Sequence, residues 1–415
     1  MTTRRNLLMM MAAAAATTAA GCKVTAGQEQ TAAGEGLPEP PGAQSGVPDV
    51  LMARTKDGLA VIRGGGLESL GTGAASLSGS TVCVAKDGAV SVISTLSGVT
   101  TGQFRIKGDA WVPRTVATSG SLVALTRPGT DAIHPAARTS TTIVFAGGEG
   151  ELIRHELPGV VEPDAFTSDG TGLFVLEWLP AGAPDHYRVR RLDIGSGTVA
   201  PLFTRNKVPV PSGDEEQMRG EGRAGVPSPD RKILYTLYTH QPGHQHTRDL
   251  ISGRPNPNVH AFVHTLHLEQ GWAYCVDLPL PFGMSDPTAC TYTLSGDGIW
   301  LYVADLAAGR LAVINTEDLA VITVVAVPQQ TGTAYALGAR DRVFLGAGTK
   351  VSVLDRAGAV VASWSVPRPL RGLAASHNQD RVYLGAEGGI SWRDLAGGGS
   401  GQAALPGLLS VVRGV

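Results

Sequence analysis

The sequence lacks the motifs that mark the common enzyme classes. Its 415 residues contain no Gly-x-Ser-x-Gly nucleophile elbow, no His-Glu-x-x-His metal motif and no phosphate-binding P-loop. Charge is also scarce: 17% of the residues are charged, the net charge is −2, and no Lys/Arg-rich run occurs. A nucleic-acid partner is therefore not expected, because such partners are recognised by concentrated positive charge.

Helical periodicity is missing as well, whereas turn-forming residues are abundant. No long segment places apolar residues at the spacing of a helix face, and the chain contains 54 glycines and 26 prolines. Short apolar runs separated by Gly, Asp and Pro are typical of an all-β protein. With 43% apolar residues, such a protein has enough material for a large core.

Those short runs repeat. The stretch RVFLGAG begins at Arg342 and returns as RVYLGAE at Arg381, 39 residues later. A period of roughly 20–50 residues indicates stacked copies of one supersecondary unit. Eight copies can be traced, and their central strands begin at or near Asp49, Ser80, Ser121, Gly172, Lys232, Leu301, Arg342 and Arg381.

The two ends of this series complement each other. The copy at Asp49 lacks a leading strand, and LLSVVRGV from Leu408 has the pattern of a leading strand with nothing after it. A ring closed by pairing the N- and C-terminal strands would leave no exposed edge. We therefore predict eight four-stranded blades, with seven as the alternative because the early copies are degenerate.

The clearest copy resembles the repeats of YVTN-type β-propellers. Leu301-Tyr302-Val303-Ala304-Asp305, then Gly309, then Val313-Ile314-Asn315 match that pattern, with Ala304 and Asp305 in place of its usual Thr and Asn. The resemblance implies a single all-β propeller, which would occupy residues 49–415. It implies little about function.

The N-terminus has the layout of an export signal. Arg4 and Arg5 precede an apolar stretch that is too short to span a membrane, and Ala19-Ala20-Gly21-Cys22 resembles a bacterial lipoprotein cleavage box. We predict a signal peptide at 1–21, lipidation of Cys22, and a flexible tether over 22–48 that anchors the protein to the outer surface of the bacterial cell membrane. A plain cleaved signal is the alternative, and the paired arginines leave twin-arginine and general export both open.

Four long connections are predicted at one end of the ring. Strands within a blade run antiparallel, so connections between second and third strands share an end with links between blades. Residues 127–141, 180–187 and 240–258 are connections of the first kind, and 204–222 is a link. We call this end the loop-rich face, and long loops in a compact fold are commonly functional.

The loop-rich face also holds histidines. Six of the 10 histidines lie between His240 and His267. His240, His244 and His246 could bind copper, zinc or nickel, since neutral imidazole suits these ions, although a polar loop without metal is the alternative. His264 and His267 face opposite sides of their strand, and the acidic run 214–216 is typical of a solvated loop. Further candidate ligand-binding residues on this face are His134, His186, Arg219, Arg248, Asp249 and Arg254.

The other three cysteines, Cys83, Cys275 and Cys290, lie in predicted strands. Cys83 and Cys275 alternate with apolar neighbours and are interpreted as small core residues. A Cys275–Cys290 disulfide is conceivable in an exported protein, but the strand assignment places Cys275 on an outer strand and Cys290 on the next blade's innermost strand.

Two functions follow as hypotheses. The first is a monomeric, non-catalytic binding or scaffold module that offers the loop-rich face to a protein or small molecule. The second is a metal- or small-ligand-dependent enzyme centred on His240–His246, because some propeller families are lyases, lactonases or quinoprotein dehydrogenases. That second hypothesis depends on fold analogy.

Overall fold

The computed structural model describes residues 46–415 except Asp109, residues 129–134, Glu149, Glu221 and Arg223. The predicted signal peptide, Cys22 and all but the last residues of the tether lie outside this range, as does His134. Among the described residues the helical elements are α1 (Thr247–Ser252) and a 3₁₀ turn at Pro287–Ala289. No helix in this part of the chain has the length and apolar character needed to cross a membrane.

The described residues are otherwise organised into 33 strands. In chain order, the first are β1 (Leu51–Thr55), β2 (Gly58–Arg63), β3 (Gly66–Gly71), β4 (Gly73–Ala75), β5 (Thr81–Lys86), β6 (Ala89–Ser94), β7 (Thr100–Arg105), β8 (Val112–Val116), β9 (Val123–Thr126), β10 (Ser140–Gly147) and β11 (Gly150–Pro158). The next are β12 (Val160–Phe166), β13 (Gly172–Leu179), β14 (His186–Asp193), β15 (Val199–Pro201), β16 (Met218–Arg219), β17 (Val226–Pro227), β18 (Ile233–Tyr238), β19 (Phe262–His267) and β20 (Ala273–Asp277). The last are β21 (Cys290–Leu294), β22 (Trp300–Asp305), β23 (Arg310–Asn315), β24 (Ala320–Ala326), β25 (Tyr335–Ala339), β26 (Arg342–Ala347), β27 (Lys350–Leu354), β28 (Val360–Ser365), β29 (Leu370–Ala375), β30 (Arg381–Ala386), β31 (Gly389–Asp394), β32 (Ser400–Ala404) and β33 (Ser410–Gly414).

These strands form eight antiparallel sheets arranged as the blades of a β-propeller. Blade 1 is β33 followed by β1–β3, and blades 2 to 8 are β4–β7, β8–β11, β12–β15, β17–β20, β21–β24, β25–β28 and β29–β32. The short strand β16 adds to blade 4 through β14. The prediction of eight blades is confirmed, and the seven-blade alternative is wrong.

The ring closes in blade 1, as the incomplete ends of the repeat series predicted. Strand β1 pairs antiparallel with β33, with Leu51 opposite Gly414 and Arg54 opposite Ser410. The innermost strands then approach closely: a Cβ on Gly372 of β29 would lie 2.0 Å from the carbonyl oxygen of Val411 in β33. With a φ of +124° as well, this position requires glycine.

The core lies between the blades. The buried apolar side chains of the described residues form eight clusters, and each cluster joins two neighbouring blades, with Leu77 of blade 2 as an additional member of the cluster between blades 4 and 5. The two-residue period of a strand distributes side chains to both neighbours, so that Tyr302 packs toward blade 7 and Val303 toward blade 5. Central strands such as β22 and β26 are therefore apolar on both faces.

A recurring turn joins the first two strands of several blades. In blade 6, the Ser295 hydroxyl donates to Asp297 Oδ1 and accepts from the backbone N–H of Trp300. Blades 4, 5 and 8 repeat this arrangement with Thr167 and Asp169, Ser228 and Asp230, and Ser376 and Asn378. These turns all lie at the end of the ring opposite the loop-rich face.

The loop-rich face is where the strand order predicted it. Residues 127–141, 180–187 and 240–258 connect the second and third strands of blades 3, 4 and 5, and 204–222 links blade 4 to blade 5. Blades 3 to 5 therefore carry the four long connections at one end.

Candidate metal centre

Five side chains with metal-binding chemistry converge between blades 4 and 5. They are Glu216 from the 204–222 link, His244 and His246 from the 240–258 loop, His264 from β19 and Cys275 from β20. His264 and Cys275 are direct cross-strand partners, so their side chains lie on the same face of blade 5. The side chains of the three histidines are at most 2% exposed, and that of Glu216 is 11% exposed.

The Glu216 carboxylate is at the centre of this group. Its Oε2 lies 3.3 Å from His246 Nδ1 and 3.9 Å from His244 Nε2, and its Oε1 lies 3.4 Å from His264 Nε2. Cys275 Sγ is 3.4 Å from each carboxylate oxygen. The nitrogen–oxygen separations exceed the ~2.7–2.9 Å expected for hydrogen bonds between charged partners.

The separations are, however, suited to a coordinated ion. Zinc binds nitrogen and oxygen at about 2.0–2.2 Å and sulfur at about 2.3 Å, so two ligand atoms of a tetrahedron lie about 3.3–3.6 Å apart. The contacts of Glu216 with His246, His264 and Cys275 fall in this interval. His244 Nε2 is buried and has no hydrogen-bond partner, which leaves its lone pair or proton unsatisfied.

A second set of residues orients His246. Its Nε2 contacts Asp277 Oδ1 at 2.5 Å, while its Nδ1 faces Glu216. Arg248 in turn donates to Asp277 Oδ2 and to the carbonyl oxygen of Cys275. A carboxylate behind a histidine that fixes its ring and tautomer is the usual support of a metal-binding imidazole. Asp249 accepts the backbone N–H of His246 and so holds the start of α1.

Glu216 is positioned by its sequence neighbour. The Glu215 carboxylate, on a residue that is 6% exposed, is bound by Arg188 at 2.9 Å and by Arg190 at 2.6 and 2.8 Å. Both arginines belong to β14 of blade 4. With Glu215 held on that strand, the next residue turns toward blade 5, and the Thr247 hydroxyl accepts the backbone N–H of Glu216.

The electrostatics of the cluster follow from burial and these contacts. Burial by itself opposes the charged form of Glu216, but its contacts with His244, His246 and His264 outweigh burial and hold the pKa of Glu216 well below its ordinary value. Burial lowers the pKa of His246, whereas Asp277 and Glu216 raise it, and the net effect is a raised pKa. Burial and the Glu216 charge together raise the pKa of the Cys275 thiol well above its usual range.

Two spaces adjoin the cluster. A pocket of about 360 Å³ opens on the loop-rich face, and His244, His240 and Arg219 contribute to its wall. On the other side, Glu216 and His264 border a cavity of about 30 Å³, enough for a water molecule. A larger pocket of about 440 Å³ lies in blade 8, but its lining holds no carboxylate, imidazole or thiol.

The other candidate residues are dispersed. His240 is exposed, and its Nδ1 contacts the Thr239 hydroxyl rather than the cluster. His186 and Arg219 both contact Asp185 on the loop-rich face, and the Arg219 side chain is 68% exposed. Arg254 is exposed at the end of α1. Arg248 and Asp249 support His246, as described above.

Sequence reasoning missed three members of the cluster. The acidic run was interpreted as a solvated loop, which is wrong, since Glu215 and Glu216 are both largely buried. Cys275 is buried as expected but contacts Glu216 as well as apolar residues. His264 is in the cluster, whereas His267 packs on Trp272 across the strand, as their spacing predicted. Cys275 and Cys290 are not joined by a disulfide.

Comparison with known proteins identifies the fold alone. No protein-family model matches the chain, and no curated protein is significantly similar to it in sequence. Among solved structures, the dihydro-heme d1 dehydrogenase NirN in complex with DHE is similar over 88% of this chain and 74% of that chain, with 11% identity and a TM-score of 0.51. BamB from Moraxella catarrhalis is similar over 81% of this chain and 92% of that chain, with 12% identity and a TM-score of 0.40. A functionally unknown protein from Desulfotomaculum acetoxidans is similar over 81% of this chain and 99% of that chain, with 15% identity and a TM-score of 0.38. This chain is thus an eight-bladed β-propeller, and its function must be argued from its own residues.

Proposed function

We propose that this protein is a metal-binding β-propeller that uses a buried transition-metal centre to hold its loop-rich face in shape for a protein or small-molecule partner. The observation that carries the proposal is the convergence of Glu216, His244, His246, His264 and Cys275 in two groups of three, within each of which the ligand atoms lie within 4.8 Å of one another. These residues come from a link, a loop and two paired strands, so an ion bound to them would join the link and the loop to the sheet of blade 5.

The donor set favours zinc or copper over the hard cations. Imidazole nitrogen and thiolate sulfur suit Zn²⁺ and copper, whereas Mg²⁺ and Ca²⁺ prefer oxygen alone. Nickel is a further candidate for the imidazoles. The hydrogen-bonded second set around His246 is the support that such ions require.

A binding role agrees with the position of the centre. The ion would tie the 204–222 link to the 240–258 loop, and these two segments form the wall of the pocket of about 360 Å³ on the loop-rich face. Metal binding to the folded state alone would stabilise that wall by mass action. The loops would then be ordered before a partner arrives, which lowers the entropic cost of binding.

A metal-dependent enzyme is the second candidate, and one observation favours it. The cavity of about 30 Å³ beside Glu216 and His264 has room for a water molecule within reach of an ion. Catalytic zinc sites keep such a coordination position open for water, whereas structural sites are closed. Turnover of a hydrolysable substrate that depends on the bound ion would distinguish this candidate from the binding module.

Export and anchoring complete the proposal. The N-terminal pattern supports a signal peptide and lipidation at Cys22, with the propeller tethered to the outer surface of the cell membrane, and the blades are proposed to be repeats of YVTN type. Cys22→Ala should move the protein from the membrane fraction to the soluble fraction without changing its melting temperature, as acyl chains would be the anchor. Membrane attachment of that variant would contradict the proposed lipid anchor.

The central experiment is a thermal shift with metal. The full-length chain is stripped with a chelator under reducing conditions, and its melting temperature and protease sensitivity are measured with and without Zn²⁺ or Cu⁺. We expect stabilisation of about 2.7 kcal/mol when the free ion reaches 100 Kd, and protection of residues 204–222 and 240–258 from cleavage.

The matched variants are Glu216→Gln and His240→Ala. The first removes the central carboxylate and should abolish both the shift and the protection, while the second alters an exposed histidine outside the cluster and should change neither. Stabilisation that survives Glu216→Gln would mean that the ion binds elsewhere.

A further inference from the structure

We infer that the centre holds two metal ions bridged by the Glu216 carboxylate, with His264 and Cys275 on one ion and His244 and His246 on the other. This inference rests on the proposed function, because it assumes that the cluster binds metal. It adds the number of bound ions, the ligands of each ion and a difference in how firmly the two ions are held.

The ligand atoms divide into two groups of three. Glu216, His244 and His246 form one group, and Glu216, His264 and Cys275 form the other; within each group all ligand atoms lie within 4.8 Å of one another. We call these the outer and inner subsites. Glu216 is the member that they share.

The orientation of Glu216 supports a bridge. Its Oε2 is the oxygen that faces His246 and His244, at 3.3 and 3.9 Å, while its Oε1 faces His264 at 3.4 Å. Each oxygen therefore faces a different histidine at the separation of two ligands on one ion, His246 for Oε2 and His264 for Oε1, while Cys275 Sγ lies 3.4 Å from both oxygens. A carboxylate that presents one oxygen to each of two ions is suited to hold them about 3.5–4 Å apart, as in other two-metal sites.

The two subsites also adjoin different spaces. The outer subsite borders the pocket of about 360 Å³ through His244, although the His244 and His246 side chains are each 2% exposed. The inner subsite borders the cavity of about 30 Å³ through Glu216 and His264. Three protein ligands in each subsite leave a fourth tetrahedral position that water can fill.

This arrangement makes the two ions unequal. The inner ion has a thiolate ligand, so it should bind first and exchange slowly. The outer ion has two imidazoles and no thiolate, and one imidazole is held by Asp277, so it should bind second and exchange faster than the inner ion.

The test counts ions and separates them by spectroscopy. The metal-free, reduced full-length chain is titrated with Co²⁺, followed by its visible and near-ultraviolet absorption and by elemental analysis. We expect two equivalents to bind. The thiolate-to-cobalt charge-transfer band should be complete after the first equivalent, while the visible bands of the second ion grow without further change in the near-ultraviolet.

Two variants assign the subsites. Cys275→Ser should lose the charge-transfer band and retain the outer ion, and His244→Gln should retain the charge-transfer band and bind one equivalent. Far-ultraviolet circular dichroism checks that each variant is folded, and the wild-type titration decides the question if either is not. A single bound equivalent in the wild type would overturn the two-ion inference and leave the metal-binding proposal intact, whereas no bound cobalt, zinc or copper would overturn both.

Discussion

Blades 6 to 8 and blades 4 and 5 are built on the same plan but differ in what they bury. In blades 6 to 8, over residues 290–404, Asp305 is the one carboxylate or imidazole that is buried. In blades 4 and 5, the described residues bury a larger set, which is Glu162, Asp164, Glu215, His244, His246 and His264. The first region has short turns, whereas the second carries three of the four long connections.

The comparison distinguishes the side chains that every blade needs for packing from the buried ionisable side chains of blades 4 and 5. Burying an ionisable group costs free energy unless it is paired or bound to metal. Blades 6 to 8 show that the same repeat can be completed with apolar side chains. In blades 4 and 5, Glu162 and Glu215 are paired with arginines, whereas His244, His246 and His264 lie where the metal centre is proposed.

The largest expected effect is on ring closure, which affects both regions equally. Deletion of residues 408–415 removes β33 and exposes the edge of blade 1, so the loss should be of the order of the whole stability of a domain, about 5–15 kcal/mol. The change is measured by circular dichroism during heating. Cooperative melting of the truncated chain at the temperature of the full chain would contradict the observed closure.

Phenylalanine truncations test the two regions separately. Phe344 packs between blades 7 and 8, and Phe262 stacks on His244 with ring centroids 4.4 Å apart. Each change to Ala should lower the free energy of unfolding by about 3–5 kcal/mol, since both side chains are fully buried. Only Phe262→Ala should also weaken Zn²⁺ binding, measured by competition with a chromophoric chelator. Equal Zn²⁺ affinity in the two variants would contradict a role of Phe262 in holding the ligand His244 in place.

A substitution of Asp277, which contacts the ligand His246, should have an intermediate effect on metal affinity. Asp277→Asn weakens the support of His246 and should lower Zn²⁺ affinity by about 10- to 100-fold. Asp297→Asn is the matched control, because Asp297 belongs to the recurring turn of blade 6 at the opposite end of the ring. Titration of both variants should show reduced affinity for the first alone; a similar reduction in both would indicate a general loss of structure.

The stability of the metal-free protein should decrease both at low pH and at higher pH. These decreases should be smaller than the effects of the substitutions above. The lowered pKa of Glu216 contributes stability above its unfolded value of about 4.3, and this contribution is lost as the pH falls through the folded value. The raised pKa of His246 contributes stability below about 6.5, and this is lost as the pH rises through the folded value. Glu216→Gln should therefore flatten the acidic limb of a plot of melting temperature against pH, and an unchanged limb would contradict the assigned contacts.

The smallest effect should come from His240→Ala. His240 is exposed and contacts Thr239, so metal affinity and melting temperature should both stay within error of the wild type. Loss of metal binding would restore the set His240, His244 and His246 that the sequence predicted, and would require the 240–258 loop to rearrange.

The blades could be predicted from the sequence because each repeat carries its own local signal. The alternation in IWLYVADL, the glycine turns and the complementary ends at Asp49 and Leu408 are visible without long-range information. The position of the loop-rich face followed from strand order alone. The recurring Ser/Thr-x-Asp turn of blades 4, 5 and 6 is also visible in the sequence and marks the start of their second strands.

The candidate metal centre could be predicted only in part. His244 and His246 were found because they are close in sequence, and this proximity also drew in His240, which the structure places outside the cluster. Glu216, His264 and Cys275 reach the cluster through the pairing of β19 with β20 and the course of the 204–222 link. These contacts depend on the fold, and no spacing motif encodes them. An acidic run flanked by arginines looks solvated until Arg188 and Arg190 are placed beside Glu215.

X-ray absorption at the zinc edge of the full-length chain loaded with Zn²⁺ would identify the atoms that bind the ion. We expect nitrogen and oxygen neighbours at about 2.0–2.2 Å and a sulfur neighbour at about 2.3 Å, with the sulfur absent in Cys275→Ser. Failure to retain zinc after dialysis, or a shell of oxygen atoms alone that is unchanged in Cys275→Ser, would contradict a metal centre at Glu216, His244, His246, His264 and Cys275.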